Sequence, residues 1–261
     1  MFWKNYNIII IIIIIIIMIN QGNVEKTIYF SLAIQIITSL ISFTGVDFDL
    51  EEKDNVLKDI LKLELIVQII ETSFYLWVIY SLKNLNKMTS RRYIDWVITT
   101  PIMLISTIIF MKYQEYKENN SGKILLFYDF LKDNKENIIK IVIYNALMLL
   151  FGYLGETGVI SKNLSIGIGF IFFGLSFKLI YDEYGSKSEL GKKLFYFLLI
   201  VWSMYGGAAT LDVVSKNISY NLLDIVSKNF YGLFIYYKIR EISNENLKDQ
   251  NNGRNGLLGS I

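Results

Sequence analysis

The chain has 261 residues, of which 53% are hydrophobic, 15% aromatic and only 19% charged, with a formal net charge of +2. Globular chains carry roughly 25% charged residues, so the balance is that of a membrane protein, and so small a net charge gives no basis for nucleic-acid binding. With no Cys and no His, the chain excludes disulfide frameworks, thiol catalysis, Ser-His-Asp triads and His-based metal sites. No enzyme activity is expected.

The first feature in chain order is the Ile-rich run from Ile8 to Ile19. It is short for a membrane span and close in length to a signal-peptide core, but no small-residue cleavage site follows. Residues 1–26 are therefore read as a signal-like or surface-lying extension, with an eighth span as the open alternative. Seven apolar segments then follow, each near the roughly 20 residues a helix needs to cross a bilayer: 27–46, 56–82, 91–111, 138–155, 163–181, 194–211 and 219–239. Polar clusters separate them. Residues 241–261 are rich in Asn, Gly, Lys and Asp and read as a disordered tail. Lys and Arg are more frequent in the loops and tail that share a side with the C-terminus, so the positive-inside rule favours an outer N-terminus and a cytoplasmic C-terminus. The expected architecture is an all-α membrane protein, a bundle of seven transmembrane helices over 27–240.

The first segment carries Ser31, Gln35, Thr38 and Ser42 near one helical face. The second is the least apolar. Its Glu64, Gln68 and Glu71 recur at i, i+4 and i+7, a polar stripe that must face other helices or a water-filled space. Such a stripe is either an interhelical hydrogen-bond network or an ion path, and carboxylates along a path favour cations.

The third segment opens Arg91-Arg92-Tyr93-Ile94-Asp95-Trp96-Val97-Ile98-Thr99-Thr100-Pro101. Arg92, Asp95 and Thr99 share a face, and Asp95 is an intramembrane carboxylate in need of a cation from another helix. The sixth segment contributes Trp202 and Tyr205, three apart, as a one-sided aromatic wall. The last contains Lys228 at its middle, with Asp224 one turn earlier. A lysine at the centre of a spanning helix costs about 2.5–3.5 kcal/mol on insertion scales and marks function by default. A near-duplicate of this motif, Asp212 to Lys216, lies close to the membrane boundary, so Lys228 is the better-placed amine.

Together these stretches resemble the microbial (type I) rhodopsins, seven-helix retinal proteins. The match rests on Arg92–Pro101, on Trp202-Ser203-Met204-Tyr205 and on Asp224 to Lys228, in the family's order; the Pro usual after the sixth-helix Tyr is Gly206 here. The resemblance implies all-trans retinal bound to Lys228 as a protonated Schiff base, with Asp95, Asp224 and Arg92 as the counter-ion group. It implies a pocket of Tyr93, Trp96, Thr99, Thr100, Gly152, Trp202 and Tyr205, and Gly155 could join Gly152 beside the ring. Where proton-pumping relatives have an inner carboxylate, eleven residues after Asp95, this chain has Ser106, which disfavours efficient pumping.

Ser106, the helix-B glutamates and Ser227-Lys228-Asn229-Phe230-Tyr231-Gly232 are similar to the channel-forming branch of viral rhodopsins from giant algal viruses. That likeness implies a light-gated cation channel with an ion path over Ser31, Glu64, Gln68, Glu71 and Asn229, and a constriction at Ser31, Glu64 and Asn229. A light-driven outward proton pump and a photosensor are the alternatives. The expected partners are the lipid bilayer and monovalent cations or protons; a homo-oligomer stays open.

Overall fold

The computed structural model describes residues 23–79 and 85–258. The Ile8–Ile19 run lies outside the described residues. Long, largely apolar stretches produce the helices, numbered here in chain order: α1 Asn23–Thr44, α2 Val56–Ile79, α3 Leu85–Glu118, a short α4 Phe127–Asp133, α5 Lys135–Glu156, α6 Lys162–Glu183 and α7 Glu189–Ala208. The last span is composite. α8, Val213–Asp224, passes through a π-helical turn at Ile225–Asn229 into α9, Phe230–Leu258.

The seven long members form a closed ring in which sequence neighbours pack side by side and the last span returns to α1. α3 runs through the middle of the group, touching α2, α5, α7 and α8. The polarity of the ring is inverted relative to a water-soluble bundle. On α1, Ser31, Gln35, Thr38 and Ser42 are buried, whereas Ile36, Ile37, Leu40 and Phe43 face outward. α2 repeats the pattern, burying Glu64, Gln68 and Glu71 and exposing Ile66, Ile69 and Leu76. An apolar exterior around a polar interior suits a hydrocarbon solvent, in which backbone groups are satisfied within helices. Among the described residues, four helices are apolar and long enough to span a bilayer on composition alone, in α1, α3, α5 and α6. α2, α7 and α8–α9 fall below that threshold because of the charged and polar residues they carry.

Two local features position the interior. Pro101 lies inside α3, where its ring removes a backbone donor. Beside it, Thr99 Oγ1 donates to the Asp95 carbonyl (2.9 Å) and Thr100 Oγ1 to the Trp96 carbonyl (2.7 Å), so hydroxyls supplement the helix ladder where proline thins it. α5 ends in a Schellman motif: Val159 N–H donates to the Leu154 carbonyl (2.9 Å), Gly158 N–H to that of Gly155 (3.2 Å), and Gly158 has φ +76°. That termination fixes Glu156 as the last residue of α5.

Two boundaries differ from the sequence reading. Residues 23–26 belong to α1 rather than to the extension, and Val24 is buried. The stretch read as a disordered tail continues α9 to Leu258. Its start is held by packing that composition does not reveal: Ile242 is buried in the core, and Lys238 Nζ pairs with Glu241 (2.7 Å) one turn on.

Gly158→Ala is expected to destabilise the protein by about 1–2 kcal/mol, because a Cβ at positive φ clashes with the backbone. A lower midpoint in detergent-induced unfolding would register it, with no loss of helix signal in the folded protein.

Candidate functional site

The π turn of the last span presents Lys228 to the centre of the ring, where the residue is only 1% exposed. Its Nζ donates to Asp95 Oδ2 on α3 at 2.6 Å and lies 3.4 Å from Glu71 Oε1 on α2 and 3.7 Å from Asp224 Oδ1. Sequence reasoning brought Asp95 and Asp224 to this lysine; the structure adds Glu71, which the sequence reading had put along an ion path. α2 turns that carboxylate to the amine because Glu64, Gln68 and Glu71 share its inward face.

The two aspartates are held differently. Asp224 Oδ2 accepts from Tyr75 Oη (2.8 Å) and Arg92 Nη1 (2.9 Å), and Oδ1 accepts from Tyr205 Oη (2.7 Å), which also shares a hydrogen bond with Ser227 Oγ (2.9 Å). Arg92 further donates to Asn221 Oδ1, and Asn221 Nδ2 donates to Thr27 Oγ1 (2.8 Å). Among the described residues, the Asp95 carboxylate has the Lys228 bond alone, with Oδ1 free of hydrogen bonds. Three donors, one of them the Arg92 guanidinium, converge on Asp224. Asp95 keeps an open lone pair next to the amine, which makes it the better-placed acceptor for a proton from Nζ. Tyr75, Asn221 and Thr27 had no distinguishing signal in sequence, since their roles depend on which face of α1, α2 and α8 turns inward.

A cavity of about 380 Å³ runs from Lys228 and Ser227 outward between α3, α5, α6 and α7. Trp96, Trp202, Tyr93 and Tyr205 line it, with Met103, Met148, Leu149, Phe170 and Phe173. Trp96 meets Tyr205 and Tyr220 edge-on, with ring centroids 5.6 and 5.0 Å away. Thr100 lines the cavity and accepts from Asn145 Nδ2 (2.7 Å). Gly152 and Gly155 line it as well; a Cβ at Gly152 would meet Tyr93 Oη at 2.8 Å, and one at Gly155 would overlap Ser165. Thr99 is the exception among the expected pocket residues. It is buried but does not line the cavity, and its hydroxyl donates to the Asp95 carbonyl.

On the other side of Lys228 a band of buried polar side chains continues between α1, α2 and α9. Gln68 approaches Gly232 so closely that any Cβ there would collide with its amide. Glu64 accepts a hydrogen bond from Ser106 Oγ, so α2 supplies a carboxylate at the position where α3 offers only a hydroxyl. Among the described residues, both amide atoms of Gln35 and Gln68, the Oγ of Ser39 and Ser42, Oε2 of Glu64 and Glu71 and Nδ2 of Asn229 have no hydrogen-bond partner. Buried polar atoms in native proteins are almost always satisfied, by water where protein is lacking. The band therefore has the chemistry of a hydrated track.

The expected single constriction of Ser31, Glu64 and Asn229 does not form. Ser31 Oγ donates to the Asn221 carbonyl (2.8 Å), Asn229 Oδ1 accepts from Thr38 Oγ1 (2.6 Å), and Glu64 pairs with Ser106. Asn221 and Asn229 are eight residues apart, about 12 Å along a helix, so these groups occupy separate levels.

A family model described as bacteriorhodopsin-like protein matches residues 25–242. The chain belongs to this family. Its members are light-driven ion transporters and sensors that carry retinal as a Schiff base, and the chain is accordingly an integral, multi-pass membrane protein with the family's seven-helix fold. Among family members of known sequence, the green-light absorbing proteorhodopsin of Gamma-proteobacterium EBAC31A08 is 22% identical over 253 residues, covering 85% of this chain and 92% of that protein. Among solved structures, viral rhodopsin OLPVRII superposes with a TM-score of 0.71 at 27% identity, covering 84% of this chain and 98% of that one. Xanthorhodopsin, described as a light-driven ion pump with dual chromophore, gives a TM-score of 0.62 at 17% identity over 85% and 94% of the two chains.

Tyr75→Phe deletes one of the three donors to Asp224 and is expected to cost about 1–3 kcal/mol, the range for a buried acceptor left short of a partner. Unfolding of the two proteins in matched detergent would measure it; Tyr236→Phe, whose hydroxyl makes no comparable bond among the described residues, is the control.

Proposed function

We propose that this protein binds all-trans retinal through Lys228 Nζ and conducts cations across the membrane in response to light. The observation that carries the chromophore assignment is the buried amine of Lys228, ion-paired to Asp95 at one end of an aromatic-walled cavity. The residues fit a long conjugated aldehyde. Trp96 and Trp202 offer flat apolar faces, Gly152 leaves room where a side chain would intrude, and the closed end supplies the Lys228 amine, with which an aldehyde condenses. When bound there, retinal supplies light absorption and a change of shape at the amine.

The chain's own residues do the rest. Arg92, Tyr75 and Tyr205 hold Asp224 as a fixed negative charge opposite the amine, while Asp95, less encumbered, takes its proton. Trp96, Trp202 and Met103 pack the cavity and exclude water from it. Loss of positive charge at Nζ weakens its attraction for Glu71, 3.4 Å away, and frees that carboxylate toward the polar band. Glu71, Gln68, Glu64 and Asn229, with Ser31 toward the other end, then provide oxygens for a partly dehydrated cation. The band's unpartnered polar atoms support passage over a dry hydrogen-bond network. The loop charges support an outer N-terminus and a cytoplasmic C-terminus.

One observation favours a second reading. The Ser106–Glu64 hydrogen bond brings a carboxylate to the inner side of Lys228, where a proton donor would be needed for outward proton pumping.

Voltage-clamped cells expressing the protein separate the two. Conduction predicts a photocurrent whose sign reverses with the cation gradient; pumping predicts current of fixed direction at zero voltage. Glu64→Gln is expected to reduce a passive photocurrent several-fold and keep the colour, and an undiminished current would remove the polar band from the path. Lys228→Ala is expected to leave a colourless protein after addition of retinal, whereas Lys216→Ala forms pigment; absorption spectra of the purified variants decide this.

A further inference from the structure

The motif Asp212 to Lys216, so similar to that around Lys228, has a different place in the molecule. Asp212 caps α8, its Oδ1 accepting from the N–H groups of Val214 (2.9 Å) and Ser215 (3.1 Å). Lys216 therefore stands one turn into the helix, about 18 Å along the axis from Lys228. Its Nζ donates to both carboxylate oxygens of Glu156, at 2.8 and 2.7 Å. Both side chains line the same cavity as Lys228, at its opposite end, where half-exposed Ala209 and Val213 and exposed Lys162 form a mouth.

Neither charge suits its own helix. Glu156 is an anion at the C-terminal end of α5, and Lys216 a cation near the N-terminal end of α8, each at the pole of like sign. The pair is also largely buried, with side chains 6% and 15% exposed, and a buried pair is often no more stabilising than an apolar one of similar size. Helix stability accounts for neither residue. Their joint effect is geometric: α5 and α8 are not neighbours in the ring, and the ion pair bridges them across the mouth. A second strap adjoins it, since Lys162 Nζ donates to the carbonyls of Thr210 (2.9 Å) and Leu211 (3.3 Å), tying the start of α6 to the turn between α7 and α8.

We propose that the Glu156–Lys216 ion pair is a latch on the entry mouth for the chromophore: a long apolar aldehyde reaches Lys228 between α5, α6 and the α7–α8 turn, and passes only when the pair parts. The latch rests on the reading that retinal occupies this cavity. Closed, it keeps water and small nucleophiles out of the aromatic chamber.

The full-length protein, prepared without chromophore, is mixed with all-trans retinal, and the growth of visible absorption is timed. The pigment is then exposed to hydroxylamine in darkness and its loss is timed. Glu156→Gln and Lys216→Met are each expected to accelerate both processes about three- to tenfold. The reversed pair Glu156→Lys with Lys216→Glu is expected to return both rates to within about twofold of the original. Glu156→Asp, which keeps the charge and shortens the reach, should fall between and serves if either neutral variant folds poorly. Unchanged rates in every variant that forms pigment, or a reversed pair as fast as the single variants, would overturn the latch and leave the chromophore assignment standing. A wild-type chain that gains no colour from retinal would overturn that assignment and the latch with it.

Discussion

An ammonium group buried in a lipid-embedded bundle has to be met by negative charge, and the interior is arranged around that requirement. Lys228 draws carboxylates from three helical segments: Asp95 from α3, Glu71 from α2 and Asp224 from its own span. Those acids demand partners in turn. Asp224 obtains Arg92, Tyr75 and Tyr205, and Arg92 obtains Asn221. One charge at the centre thereby fixes the rotation of α2, α3, α7 and α8 about their axes. In a medium that offers no water to a misplaced charge, the register of the helices is set by electrostatics as much as by packing.

The two sides of the amine differ in character. Toward the cavity the walls are aromatic and apolar. Toward Glu64 they are amides, hydroxyls and carboxylates, several without protein partners. Nζ sits at the boundary, so a change at that atom is felt in both media at once. The asymmetry is produced chiefly by α2, whose inward face carries three acidic or amide side chains over two turns while its outward face is as apolar as its neighbours.

How much of this the sequence disclosed follows from where the partners lie along the chain. Contacts within one helix were legible: Arg92, Asp95 and Trp96 in one run, and Asp224 a turn before Lys228, announce themselves by spacing. So did the stripe on α2, though not its partners. The Glu64–Ser106 bond, the approach of Glu71 to Lys228 and the clasp of Glu156 on Lys216 each join helices far apart in sequence, and no local periodicity specifies how two helices are rotated against each other. Thr99 shares a face with Arg92 and Asp95 on α3, but that spacing alone did not tell which side of the face borders the cavity. The tail failed on composition: a polar stretch without proline continued the helix once Ile242 anchored its first turn.

The π turn at Ile225–Asn229 has one more implication. Widening the coil by one residue interrupts the regular ladder, and a peptide oxygen there loses its usual N–H partner. Inside a bilayer such an orphan is tolerated only against protein or trapped solvent. Lys228 thus sits where the regular ladder is interrupted, so a push applied at that side chain would reach everything that follows it in α9, Gly232 and its close neighbour Gln68 included.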